Sequence, residues 1–201
     1  MSSKKSDAQR QRIIDAALTL FARFGVRKTT VSALAQRAHL GKGTIYYYFP
    51  DGKEAIFAAA VQSVVEQVFR ALVACTEQVD DAWEKIAAYM RGRIIAFDRE
   101  LIVRGIEDDV WRELRPQADD VLAGYLVREF ELLGELVALG VKQGLFELDN
   151  VRLAARSLQA MLQGLTVAAF DTPSDSTPAQ RQQEIDQLLE LIRFGLNGVR
   201  Q

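Results

Sequence analysis

The chain has 201 residues, 49% hydrophobic and 26% charged, enough for one fair-sized core or a small module beside a larger one. Its lone cysteine, Cys75, and lone histidine, His39, exclude an internal disulfide and remove most zinc-site and His-dependent triad chemistry. A net charge of −2 conceals an asymmetry: residues 1–53 hold ten basic and three acidic groups, or +7, and the remainder fifteen and twenty-four, or −9, the pattern of a head that meets a polyanion.

Apolar residues recur at helical spacing and period-2 alternation is not sustained, which predicts an all-α chain of about nine helices. The first spans about Asp7 to Phe24, with Ile13, Ala16, Ala17, Leu20, Phe21 and Phe24 on one face and Gly25 as its stop. A threonine cap at Thr29 or Thr30 opens a short helix from Val31 to Ala38. His39-Leu40-Gly41 turns the chain into a third short helix, Lys42 to Phe49. Pro50 then stops it, and Asp51 with Glu54 forms a capping box for a long fourth helix reaching Glu77. Helices follow near Asp80 to Phe97, Arg99 to Leu114, Pro116 to Gln143 and Val151 to Phe170, with Pro116 suited to a first helical position. The stretch DTPSDSTPAQ reads as a surface loop, and Thr177-Pro178 starts a last helix ending near Asn197. No Gly-rich phosphate loop appears, and no apolar run approaches the roughly 18 to 20 residues of a membrane span. The basic, polar N-terminus lacks the features of a secretory signal, so a cytoplasmic protein is expected.

Two short helices joined by a tight turn and preceded by a longer amphipathic helix have the plan of a helix-turn-helix unit. Val31, Leu34, Ala35, Ala38, Leu40, Ile45 and Phe49 are placed toward the first helix. Lys42, Gly43, Thr44 and Tyr47 face away, with Tyr46 and Tyr48 on the flanks, hydroxyls outward. The segment TTVSALAQRAHLGKGTIYYYFPDGKEAIFAA, with IIDAALTLFARFG before it, resembles the DNA-binding head of the tetracycline-repressor (TetR) family of bacterial transcription regulators. The resemblance covers about the first quarter of the chain.

It implies a phosphate contact for Thr30, base-edge positions for Lys42, Gly43 and Thr44, phosphate and sugar contacts for Tyr46, Tyr47 and Tyr48, and a neutralised phosphate at Lys53. Hydroxyls, lysines and helix N-termini are common backbone-positioning groups on DNA, in keeping with those roles. Three positions depart from the family pattern: His39 stands where glycine is usual, Gly41 replaces a serine or threonine cap, and PDGK holds one residue more than the commonest spacing before the lysine.

On this reading residues 1–53 are a DNA-binding domain and 54–201 an effector-binding and dimerisation domain. A palindrome read by two heads about 34 to 36 Å apart requires a homodimer. The resemblance assigns its interface to the last two helices, where Leu158, Met161, Leu162, Leu165, Leu188, Leu189, Ile192 and Leu196 are apolar and Gly164 and Gly195 allow close approach. Trp83, Tyr89, Phe97, Trp111, Tyr125 and Phe130 are candidates to line an effector pocket, although aromatics at helical spacing equally make core. Arg91, Arg93 and Arg104 either meet an anionic ligand or pair with Asp98, Glu100, Glu107, Asp108 and Asp109 on a solvated face. Cys75 reads better as a buried thiol than as a redox sensor. The expectation is a ligand-responsive regulator, most often a repressor, released from a palindromic operator on double-stranded DNA by a small molecule, with no enzyme activity, cofactor or metal. The alternative is a helical small-molecule-binding protein or enzyme whose head no longer binds DNA.

Overall fold

A computed structural model of the chain describes residues 2–99, 108–171 and 178–196, which form eight helices and no strand. The chain divides into two compact units, one of residues 1–67 and 100–125, the other of 68–99 and 126–201.

The first unit contains α1 (Ser2–Phe24), α2 (Val31–Ala38), α3 (Lys42–Tyr48) and the start of α4 (Lys53–Thr76). Its core takes Ile13, Ala17 and Phe21 from α1, Leu34, Ala35 and Ala38 from α2, Ile45 and Phe49 at α3, and Ile56, Phe57 and Ala60 from α4. The Phe21 and Phe57 rings meet at 6.3 Å between centroids. Helix α1 starts at Ser2, earlier than the expected Asp7, because nothing before Asp7 breaks a helix and extension costs little once a nucleus exists. It stops at Gly25, whose φ of 77° is freely open only to glycine. The buried Thr29 hydroxyl donates to the Gly25 carbonyl at 2.8 Å. Phe24 lies outside this core and is exposed, with the Arg23 guanidinium over its ring.

The capping box expected at Asp51 and Glu54 gives way to a turn. Gly52, at φ 68°, donates its N–H to the Phe49 carbonyl at 2.9 Å, and its own carbonyl takes the Ile56 N–H at 3.1 Å, so α4 begins at Lys53. Contrary to the expectation for the chain, α4 is long and apolar enough to cross a membrane by length and composition, with a mean hydropathy of 1.5 over 18 residues. Of that window 39% is buried in the protein, Ile56, Phe57 and Ala60 completely.

The second unit contains the rest of α4, α5 (Ala82–Arg99), the later part of α6 (Asp108–Lys142), α7 (Val151–Asp171) and α8 (Pro178–Leu196). Trp83, Ile86, Tyr89, Met90, Leu133, Val137, Phe146, Leu158, Leu162 and Leu189 are central to its core. The Asp81 carboxylate accepts the Glu84 N–H at 3.0 Å, and Gln143 Oε1 accepts the Ala82 N–H at 2.9 Å, satisfying donors that a helix start leaves open. A Cβ on Gly140 would stand 2.0 Å from the buried Phe146 ring, so only glycine lets that ring pack there. Cys75 is exposed, not buried.

The middle of the chain also differs from the sequence reading. Pro116 lies inside α6 and does not open a new helix. Proline removes one intrahelical donor and crowds the preceding turn, yet the helix carries it, so two expected helices are one from Asp108 onward. Residues 100–107, the rest of the expected Arg99 to Leu114 helix, lie outside the described residues.

Candidate nucleic-acid interface

The turn between α2 and α3 is built from backbone up. Thr30 caps α2 with an extended backbone (φ −105°, ψ 154°), its hydroxyl oxygen accepting the Ala33 N–H at 3.1 Å. At the other end His39 takes the left-handed conformation (φ 54°, ψ 47°), and the N–H groups of His39 and Leu40 return to the carbonyls of Gln36 and Ala35. Histidine is among the non-glycine residues that tolerate this region, and His39 is the sole non-glycine at positive φ among the described residues. Gly41 then enters α3 with no side-chain cap, its carbonyl accepting from Thr44 and Ile45.

Helix α3 has a buried back and an open front. Ile45 is fully buried and Phe49, just past the helix, nearly so, whereas Tyr47 is 77% and Tyr46 50% exposed. Lys42 and Gly43 are exposed and Thr44 half-buried. A Cβ on Gly43 would meet nothing within 4 Å, and the Tyr46 ring rests 3.6 Å from the Cβ position of Gly52. Tyr48 departs from the outward orientation expected of it: half-buried, it donates its hydroxyl to Gln9 Oε1 on α1 at 2.8 Å. Its ring meets that of Tyr47 edge-on at 5.1 Å. Arg12, also on α1, donates through Nη2 to the Ala38 and His39 carbonyls, and Arg10 stacks over Phe49 at 5.2 Å. Lys53 donates to the Arg27 carbonyl at 3.3 Å. Gln9 and Arg12 are site residues that the sequence reading did not single out. Their partners are 39 and 26 to 27 residues away, beyond any local pattern.

Trp83 and Tyr89 are buried in the second core, and Tyr125 is buried on α6. The side chains of Phe97, Trp111 and Leu165, and all of Arg104, lie outside the described residues. Arg91 pairs with Asp186 at 3.0 Å with both side chains well exposed. Arg93 is not on a solvated face. It is 3% exposed and donates Nε to Glu129 at 2.9 Å, a carboxylate that is 0% exposed and also accepts the Tyr89 hydroxyl at 3.0 Å. Gln159 donates to the other carboxylate oxygen at 3.4 Å and to the Leu126 carbonyl at 2.6 Å.

Among the residues assigned to a dimer face, Met161 is exposed and Leu188 half-buried, whereas Ile192 and Leu196 lie in the protomer's own core with Leu158, Leu162 and Leu189. Among the described residues, the large apolar side chains left open on α7 and α8 are Leu153, Met161, Leu191 and Phe194, the last two 71% and 72% exposed.

The model of the bacterial regulatory proteins, tetR family, matches residues 13–60, the segment that builds this interface. The fatty acid metabolism regulator protein of Bacillus subtilis is 31% identical over 160 residues, spanning 77% of this chain and 80% of that protein. The transcriptional regulator LmrA of the same organism is 32% identical over 82 residues, and the match spans only 44% of its length. The crystal structure of a transcriptional regulator from Cytophaga hutchinsonii superposes with a TM-score of 0.76 at 20% identity, over 92% of this chain and 97% of that one, which establishes a shared fold. Head motif, fold and near full-length relative agree: the chain belongs to the TetR family of bacterial regulatory proteins and is a DNA-binding transcription regulator.

Proposed function

We propose that the protein is a homodimeric, ligand-responsive repressor, not an enzyme, that works in the cytoplasm. Residues 1–53 read a palindromic operator, and residues 54–201 take up a small-molecule effector and the second copy. The observation that carries this reading is the two-sidedness of α3: Ile45 and Phe49 are buried while Tyr47 is 77% exposed. A side chain of that size on open display, on the same short helix as the exposed Lys42, costs little to free for a groove, and hydroxyls and amines are the groups that grip phosphates. In this scheme Lys42, Gly43 and Thr44 meet base edges, Thr30, Tyr46 and Tyr47 meet phosphates and sugars, and Lys53 faces the same backbone while bracing the Arg27 carbonyl.

The relative that regulates fatty acid metabolism supports a lipid-derived acid as effector, taken up within the second unit, where Trp83 and Tyr89 lie. The effector acts only by its differential affinity for the DNA-competent and incompetent arrangements. Selection from a random duplex pool should recover a palindrome with half-sites spaced by about 10 base pairs or a multiple. Its affinity should fall steeply with salt, and long-chain fatty acids should release it. Equal binding of all duplexes, indifferent to salt, would sink the proposal.

The surface offered to the second copy follows from burial. Leu188, Leu191, Phe194 and Gly195 share one stripe of α8 at helical spacing, and Leu153, Ala160, Met161 and Gly164 share one on α7; Leu191 and Phe194 are largely open. Phe194→Glu is expected to shift the protein to a folded monomer in sedimentation at micromolar concentration. A dimer unaffected by that charge would exclude this face.

A further inference from the structure

We infer that α1 sets the aim of α3, with Arg12 and Gln9 as positioning residues that hold the two ends of the reading helix. The inference rests on the proposal that α3 reads DNA. Helix α3 has only seven residues and no side-chain cap at Gly41, too short to be stable by itself. Its buried anchors, Ile45 and Phe49, fix its depth but leave its tilt to other contacts. Arg12 supplies the first. Its Nη2 donates to the Ala38 and His39 carbonyls, acceptors that a helix end leaves without intrahelical partners, so a charge-assisted bond locks the turn by which the chain enters α3.

Gln9, one turn earlier on α1, supplies the second. Its Oε1 accepts the Tyr48 hydroxyl at 2.8 Å at the far end of α3, and Arg10 between them lies over the Phe49 ring. Entry and exit of the reading helix are thus tied to a single edge of α1. Two consequences are specific. The Tyr48 hydroxyl serves the protein and not a phosphate, and Arg12 acts through the turn and not as a phosphate cation.

The test uses the full-length protein, a duplex selected by the wild type from a random pool, and a scrambled duplex of the same composition. Arg12→Met is expected to lower the selected-to-scrambled affinity ratio about tenfold, the scale of one misread base pair. Its salt slope on the scrambled duplex should stay unchanged, whereas loss of a phosphate contact would reduce the slope by about 0.9 per contact. Tyr48→Phe, which removes one oxygen and keeps the ring, should lower the ratio about fivefold. Adding Gln9→Ala to it should lower the ratio no further, because the two groups act as one.

Wild-type protein that does not distinguish the two duplexes removes the α3 reading itself. If the wild type discriminates but Arg12→Met and Tyr48→Phe discriminate equally well, or Arg12→Met changes only the salt slope, or the Gln9 and Tyr48 effects add, this inference alone is overturned.

Discussion

Glu129→Gln is expected to destabilise the folded protein by about 3 to 5 kcal/mol, the usual result of removing one partner from a buried ion pair. The carboxylate is fully buried and receives Arg93 Nε and the Tyr89 hydroxyl on one oxygen and Gln159 on the other. These groups come from α5, α6 and α7, so a single side chain gathers three helices of the second unit. Glutamine has the same shape but removes the negative charge that faces the buried Arg93 guanidinium, and it places an amide donor among donors. Replacing the pair with apolar residues of similar volume, Arg93→Met with Glu129→Leu, removes the charge together with its partner. That double variant should be far more stable than Glu129→Gln, since apolar replacement of a buried pair is often neutral or better. Denaturant unfolding at one fixed protein concentration measures both, because the proposed dimerisation would make apparent stability concentration-dependent. A loss below about 1 kcal/mol for Glu129→Gln would show that the site admits water and that the pair behaves as a surface contact.

Much of the fold was legible because local signals agreed with one another. Ile13, Ala17 and Phe21 repeat at helical spacing before Gly25, and Leu34, Ala35 and Ala38 do so after the Thr30 cap; all six apolar residues are buried in the first core. The reading was less secure where a local rule met a tertiary one. Pro116 is a good first residue of a helix and also a tolerable interior one, and its own position cannot decide between them. On α8, Leu191 and Ile192 are neighbours rotated by about 100°, and apolar residues on both flanks leave the inward face undetermined until the rest of the core is packed. Ile192 went in and Leu191 stayed out.

The polar cluster was partly readable. Tyr125, Glu129, Leu133 and Leu136 follow the stripe i, i+4, i+8, i+11, which puts a glutamate in line with apolar residues, and Tyr89 and Arg93 stand four apart on α5. A charged residue inside such a stripe calls for a buried partner. Composition hid this signal, because one acid among twenty-seven looks like part of a solvated face. No comparable clue existed for Gln9, whose position four residues before Ile13 says nothing of Tyr48.

Tyr47→Ala is expected to weaken binding of the selected duplex by about ten- to a hundredfold, the range in which a central aromatic anchor acts, with the melting temperature essentially unchanged. At 77% exposure the ring has little to lose on the protein side, its described ring contact being the edge of Tyr48. Substitutions at such exposed positions usually move stability by less than about 0.5 kcal/mol. Ile45→Ala supplies the contrast, for that side chain is completely buried in the first core, and its truncation should cost about 2 to 5 kcal/mol. The Ile45 variant therefore loses DNA binding by loosening the head, and the Tyr47 variant by stripping its outer surface. Tyr47→Phe separates ring from hydroxyl: a loss of about fivefold assigns a hydrogen bond to the oxygen, and the rest of the alanine effect then belongs to the ring. Should Tyr47→Ala instead melt early and bind the duplex as well as the wild type, the exposed tyrosine would be a prop for Tyr48, and the reading surface would have to be sought at Lys42, Gly43 and Thr44 alone.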